Sequence, residues 1–222
     1  MAIMWHPDTR EFHLQNNLIS YVISLLPDGS PGLAYFGRPL ALEGRYSRLI
    51  RFEDRGMTTH QSGLPSSFCL DYARREYPTY GRGDYRTPAL ELQAASGFPL
   101  ILDLQYQRHR IVQGKPPVSG LPATYCDSDA EAESLILTLE DPSYQVQVDV
   151  HYTIFRDYPV IARRASIRNG GAQALQLLRS YSAVLDLDSP SWDFIHFSGA
   201  WARERHIVRR PLAPGLQSIA SS

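Results

Sequence analysis

Cysteine is scarce in this 222-residue chain: only Cys69 and Cys126 occur, and they form no CxxC pair. Two cysteines do not make the disulfide framework of a small secreted domain. Without the paired spacing a structural zinc site is not expected either, so both thiols are read as free. Positive charge is not in surplus. Lys and Arg total 22 against 23 Asp and Glu, a formal net charge of −1. No basic stripe exists to neutralise phosphates, which excludes a nucleic-acid binder. No run approaches the ~20 apolar residues that span a bilayer, so no membrane partner is expected. The opening residues, Met1 to Phe12, hold no cationic segment followed by an apolar one. No secretion leader is therefore expected, and the expected location is the cytoplasm. Long apolar stripes at helical spacing are missing as well, while 16 Pro and 15 Gly punctuate the chain. That combination argues against an α-helical fold.

What is present is a globular composition with a period of two. Hydrophobic residues are 43% and charged residues 20%, enough to bury a sizeable core in one large domain and too apolar for a disordered chain. Phe12 to Leu14 and Ile19 to Leu26 read as strands closed by the turn Pro27-Asp28-Gly29, with Leu33 to Gly37 as the return strand. Pro88 to Gln93 is another strand, with Ser96-Gly97 as its turn. Leu100 to His109 and Glu133 to Glu140 follow. Tyr144 to Phe155 alternates polar and apolar over its whole length and is the cleanest strand in the chain. Val160 to Arg168 leads into Asn169-Gly170-Gly171, and Ala174 to Leu187 resumes. Asn-Gly beside alternating strands is a hairpin signal, so these two segments are expected to pair. Many short strands with frequent turns mean a sandwich or barrel.

Two segments break the pattern. Asp54 to Arg86 is polar, aromatic and rich in Gly, Pro and Ser; a loop that long in a compact domain is functional or disordered. Asp127 to Glu133 offers one helical turn or a solvated acidic loop, and the loop is the preferred reading.

The densest chemistry lies in Ser191 to His206, which concentrates Trp192, Trp201, His196, His206, Arg203, Arg205, Asp193 and Glu204. This stretch resembles a segment of the bacterial α-galactosidases of glycoside hydrolase family thirty-six. The resemblance extends through Phe12-His13-Leu14, Glu76 to Ala89, Gly114-Lys115-Pro116, Gly120 to Tyr125, Leu177-Leu178-Arg179 and Arg209 to Leu212. It implies an all-β fold, the N-terminal β-supersandwich (galactose-mutarotase-like) that precedes a catalytic (β/α)₈ barrel. In that family the sandwich takes roughly 300 residues or more, above the usual domain size. By that measure residues 1–222 are an incomplete sandwich, truncated before its C-terminal strands and before the barrel.

Retaining glycoside hydrolysis needs two carboxylates about 5–5.5 Å apart. The family's two catalytic aspartates belong to the barrel, so no catalytic residue is assigned here, and no metal or cofactor is expected. Asp84, between Arg82 and Arg86, and Glu204, between Arg203 and Arg205, read as structural ion pairs, and Asp193 likewise as non-catalytic. Asp54 is the one substrate-binding candidate. It matches the family position whose aspartate reaches from the N-terminal domain into a sugar pocket, in tetrameric members that of a neighbouring subunit. The plain alternative is a surface aspartate beside Arg55. A second family contact about a dozen residues on falls at Ser66, a departure from the arginine or tryptophan common there.

Trp192 and Trp201 invite a sugar-stacking role, but anchoring the core or a domain interface is preferred. His196 and His206 lack metal-ligand spacing. Tyr77, Tyr80 and Tyr85 are read as rigidifying a loop or subunit contact. Gly81-Arg82-Gly83 lacks the spacing of a phosphate loop. Three functions are weighed: the non-catalytic N-terminal portion of an α-galactosidase acting on α-galactosides as a homo-oligomer, a stand-alone carbohydrate-binding module, and a purely structural assembly domain.

Overall fold

The computed structural model describes residues 2–41, 45–120, 122–187 and 191–219. It is an all-β sandwich with open sheets. The strands are β1 (Ala2–His6), β2 (Glu11–Gln15), β3 (Ser20–Leu25), β4 (Pro31–Gly37), β5 (Leu90–Ala94), β6 (Gln105–Gln113), β7 (Ala132–Asp141), β8 (Val146–Phe155), β9 (Ile161–Asn169), β10 (Leu175–Ser180), β11 (Asp193–Ala200) and β12 (Arg203–Pro211). Two antiparallel four-stranded sheets run β1-β2-β3-β4 and β6-β7-β8-β9. Strands β5 and β10 pair with each other, as do β11 and β12. Among the described residues the only helix is two single 3₁₀ turns, Tyr46–Leu49 and Asp129–Glu131, and no helix is long and apolar enough to cross a membrane. The chain divides into two compact units, one ending at Leu185 and one beginning at Asp186.

In the first unit the period-two pattern does what it predicts. Val146, Val148, Val150, Tyr152 and Ile154 on β8 and Leu135, Leu137 and Leu139 on β7 turn inward, all but fully buried. They meet Phe12, Leu14, Tyr21, Ile23 and Leu25 of the first sheet in one continuous core. The hydrophobic effect acts on these inner faces, because alternate residues of facing strands leave water together.

The outer faces are covered too. Over the first sheet, Glu11 is completely buried and accepts backbone N–H groups from Arg45 (2.7 Å) and Ser47, which pins the 3₁₀ turn. Behind it lies a small cluster of Leu26, Phe68, Leu70 and Ala73. The long irregular stretch expected around residues 54–86 is thus an ordered cover, held by this cluster and by polar pins. Over the second sheet, Ser134 donates to the Gly114 carbonyl at 2.7 Å, and Lys115, Pro116, Pro122 and Thr124 line a cavity together with His151 and Thr153.

Three expectations are corrected. The hairpin expected at Asn169-Gly170-Gly171 does not form: β9 pairs with β8, while β10 pairs with β5. A two-residue hairpin of this kind needs positive φ at both central residues. None of these three residues is among those with positive φ. Instead Asn169 caps a wider bend, accepting from Gly171 N–H (3.0 Å) and donating to the Gln173 carbonyl (2.7 Å), and the chain leaves the sheet. The strand expected over Leu100 to His109 starts at Gln105 instead; Leu102 and Leu104 are core residues without a ladder partner. The acidic stretch at Asp127 to Glu133 contains one 3₁₀ turn, stabilised by a reciprocal cap between Ser128 and Glu131. Both cysteines are free, as expected, Cys69 buried and Cys126 partly so.

One charged group sits inside the core. The Glu76 carboxylate is 1% exposed. It accepts from Tyr21 of β3 (2.7 Å), from Tyr152 of β8 (2.6 Å) and from Arg163 of β9 (2.8 Å). Arg163 also reaches the Glu76 carbonyl and lies over the Tyr152 ring at 4.9 Å. Burial, followed by the Glu76 charge, pushes both tyrosine hydroxyls well above their ordinary range, so they remain donors. Breaking a buried pair by removing one partner costs about 3–5 kcal/mol, since the other charge is left unpaired. Glu76→Ala is expected to lower stability by that amount in urea denaturation, and Glu76→Gln, which keeps an acceptor for the tyrosines, to lower it less.

Candidate functional site

Asp54 lies on an exposed loop whose neighbours are fastened and whose own side chain is not. Phe52 rests on Phe68 with ring centroids 6.1 Å apart. The Glu53 N–H donates to the Tyr72 hydroxyl at 3.1 Å, and that hydroxyl donates to the Ser67 carbonyl. Arg51 pairs with Glu53. Arg55 lies over the Tyr72 ring at 5.6 Å and 3.6 Å from Asp71. Arg55, the neighbour of Asp54 in sequence, thus turns to Asp71. Asp54 has no hydrogen bond or ion pair among the described residues. Two carboxylate oxygens, each free to accept, are held out on a tethered backbone. Ser66 is exposed on the same covering segment.

A second arrangement was only half visible in the sequence. Gly81-Arg82-Gly83-Asp84 forms a tight turn. Gly81 and Asp84 exchange both backbone hydrogen bonds, at 2.7 and 3.0 Å, and Arg82 and Gly83 have φ of 56° and 107°. Positive φ at both central positions is the type I′ geometry, which glycine tolerates best. A Cβ on Gly81 would also meet Ile101 at 2.7 Å. The glycines read as a failed phosphate loop are the requirements of this turn. Its flanking residues, Tyr80 and Tyr85, are thereby neighbours across a miniature hairpin. Their rings meet edge to face, 5.5 Å apart at 69°, and stand 50% and 65% exposed. Tyr77, by contrast, is buried.

The hairpin is anchored by its Asp84, 1% exposed. The carboxylate takes Arg86 on both oxygens (2.9 and 2.9 Å) and Arg75 on one (3.0 Å). Arg75 also donates to the Thr79 carbonyl at 2.7 Å, and Arg86 to the Ala73 carbonyl at 2.7 Å. The structural ion pair expected for Asp84 is present, with Arg75 in place of Arg82, which pairs with Asp103.

The second unit is a β11–β12 hairpin in which Phe197 faces Ile207 and Ser198 faces His206. Asp193 accepts from Arg209 at 2.6 Å, and Arg210 meets His196 Nε2 at 2.9 Å. Glu204 accepts from the Ala202 N–H at 3.1 Å and has no ion pair among the described residues. Trp192 and Trp201 are 42% and 95% exposed; of the two roles expected for them, core or domain interface, neither ring fills a core within this hairpin. No group of three or more metal-ligating side chains occurs among the described residues.

The fold defines an all-β sandwich domain, and comparison with known proteins gives its family. Residues 29–222 match the family model described as the glycosyl hydrolase family 36 N-terminal domain, and the chain belongs to that family. Alpha-galactosidase AgaA of Geobacillus stearothermophilus is 38% identical over 221 residues, which is 100% of this chain and 30% of AgaA. The crystal structure of the alpha-galactosidase from Lactobacillus brevis matches with a TM-score of 0.91 at 33% identity, covering 99% of this chain and 29% of that one. An AgaA variant solved in complex with raffinose matches at 0.86 and 39%, covering 93% and 29%. This chain thus spans about 30% of the length of its curated relatives.

The anchor beneath the tyrosine hairpin carries a pH signature. Burial alone would raise the Asp84 carboxyl, but the hydrogen bonds and charges of Arg86 and Arg75 outweigh it and hold the group below its ordinary range. A depressed folded value means stabilisation present above the unfolded value of about 3.9 and lost as pH falls through the folded one. The gap in thermal midpoint between the wild type and Asp84→Asn is expected to be widest near neutrality and to narrow below about pH 4.

Proposed function

We propose that this chain is the non-catalytic N-terminal portion of a retaining α-galactosidase that hydrolyses terminal α-galactosides of the melibiose and raffinose type. The observation that carries this reading is the Asp54 carboxylate, exposed and unpartnered on a loop whose neighbours are pinned on both sides. The likeness to α-galactosidases along nearly all of the chain supplies the substrate class.

A carboxylate accepts hydrogen bonds only, and its two oxygens match two adjacent sugar hydroxyls. Such a group orients a sugar without taking part in bond cleavage. The nucleophile and the acid/base of a retaining mechanism are supplied from outside these residues, and so is the barrel that holds them. In this reading residues 1–222 support the barrel, contribute to a homo-oligomer and form one edge of the sugar pocket. The enzyme acts in the cytoplasm without a cofactor. With Ser66 at the second contact position, the outer edge of the pocket offers a small hydroxyl where relatives place a larger group.

Two outcomes follow. Residues 1–222 alone are expected not to turn over nitrophenyl α-galactoside above a buffer blank. In an α-galactosidase carrying this domain, Asp54→Ala is expected to reduce kcat/KM by roughly ten- to hundred-fold, the equivalent of a charged hydrogen bond worth about 1.5–3 kcal/mol. KM should rise more than kcat falls, because the contact is made to bound sugar, and the exposed position leaves folding unchanged. Wild-type kinetics in folded Asp54→Ala would return the residue to an ordinary surface aspartate.

A further inference from the structure

The tyrosine hairpin borders a cavity of about 490 Å³ that the Asp54 reading does not use. Tyr80, Tyr85, Pro88 and Ile101 are among its apolar walls, and Glu91, Arg179, Arg86 and Thr87 make its polar ones. Glu91 on β5 faces Arg179 on β10 in register, and their charged ends lie 3.7 Å apart, both more than one-third exposed. The cavity is of the size that small-molecule sites have, about 300–1,000 Å³.

We infer that this cavity is a second saccharide site, separate from Asp54, that takes a galactosyl residue of an oligosaccharide without hydrolysing it. The inference rests on the α-galactosidase reading for its choice of sugar. Three features carry the chemistry. First, the tyrosine rings are large, rigid and solvent-facing, and each still has surface open to a ligand. Galactose, with its axial 4-hydroxyl, presents a patch of C–H groups on one face that packs on such a ring, and the hydroxyls remain at its edge. Second, Glu91 accepts and Arg179 donates, so together they satisfy both kinds of hydrogen bond that a sugar edge makes. At 3.7 Å the two groups make no close hydrogen bond to each other, so both keep capacity for a ligand's hydroxyls on the cavity side. Third, the platform is preorganised. The turn fixes Tyr80 and Tyr85 side by side, and buried Asp84 fixes the turn, so little ordering remains to be done on binding. Among the described residues these two rings close no core and fill no ladder.

The test is a raffinose titration of the 222-residue chain followed by tyrosine ring and backbone NMR resonances. Dissociation constants on the order of 1 mM are expected, with shifts centred on Tyr80, Tyr85, Glu91 and Arg179. Tyr85→Ala should weaken binding about tenfold or more, and Tyr85→Phe, which keeps the ring, should retain it. Raffinose shifts that centre elsewhere, or none at all in a folded chain, overturn the site. So does a Tyr85→Ala variant that binds raffinose normally but loses self-association in light scattering, since the rings would then serve a protein contact. If Asp54→Ala leaves the kinetics of an α-galactosidase carrying this domain unchanged while raffinose still binds here, the Asp54 reading fails and this site stands. Activity that depends on Asp54, without raffinose binding here, has the opposite meaning.

Discussion

Everything on the irregular side of this sandwich depends on one buried carboxylate. Glu76 is the point where three parts of the chain meet: Tyr21 from the first sheet, Tyr152 and Arg163 from the second, and the covering segment that carries Glu76 itself. A lone charge there would cost far more than the fold could offset. With two phenol donors, one guanidinium and a backbone anchor the cost is met, and the geometry becomes specific. The Glu76 N–H donates to the Pro31 carbonyl at 2.8 Å, and Leu33 N–H to the Arg74 carbonyl at 2.8 Å. The segment is thus stitched along β4 just where its side chain enters the core. Register is the consequence. With Glu76 fixed, Arg75 must point the other way, and there it meets Asp84. Asp84 in turn sets the turn at residues 81–84. A chain without a strand ladder acquires a fixed path from two adjacent residues with opposite charge.

The sequence made the regular half legible, because there the physics is local. On β8, from Val146 to Phe155, every second residue is apolar, and all of those positions are buried. The hairpin from Ser20 to Gly37 carries its turn residues where the turn falls. The failures share a cause. β6 is only half legible: the strand expected over Leu100 to His109 covers its first five residues, and the rest becomes strand through β7, since Arg110 and Ile111 lie opposite Ile136 and Leu135. β1 is five residues long and becomes a strand through β2. After Asn169 the turn chemistry announced a reversal but not its partner: β10 finds β5, which lies more than 80 residues earlier in the chain. Non-local pairing leaves no mark in a window of ten residues.

The candidate sites show the same limit from another side. Asp54 has no pattern of its own; an aspartate in a polar loop is ordinary, and it was found only through likeness to a family. What the structure adds is that its neighbours are spoken for, Arg55 by Asp71 and Glu53 by Arg51 and Tyr72. The tyrosine pair could have been found. Gly-x-Gly-Asp between two tyrosines is a turn signal, and a type I′ turn makes its flanking residues touch. The signal was tested only against phosphate binding, which it failed for want of spacing. Of the partners of Asp84, Arg86 was legible beside it, but Arg75 was out of reach, because Arg82 is nearer in sequence while Arg75 is nearer in space.

The covering segment divides its labour by depth. Its buried groups, Glu76, Arg75 and Asp84, are all paired: Glu76 joins the segment to both sheets, and Arg75 and Asp84 tie the segment's own turn and backbone together. Its exposed groups, Asp54, Tyr80 and Tyr85, are held in place by their neighbours and have surface to spare. A loop built only for stability would turn its large rings inward and pair its carboxylates on the surface. A loop built only for flexibility would not bury three charges. Rigid attachment below and unsatisfied chemistry above is what binding to something outside the segment requires, because the cost of ordering the groups has already been met in folding. The same division explains why the segment can afford so little regular structure. Strand ladders would satisfy its backbone just as well, but they would fix side chains on two alternating faces, and neither face would present an aspartate at a loop tip and a tyrosine pair over a cavity.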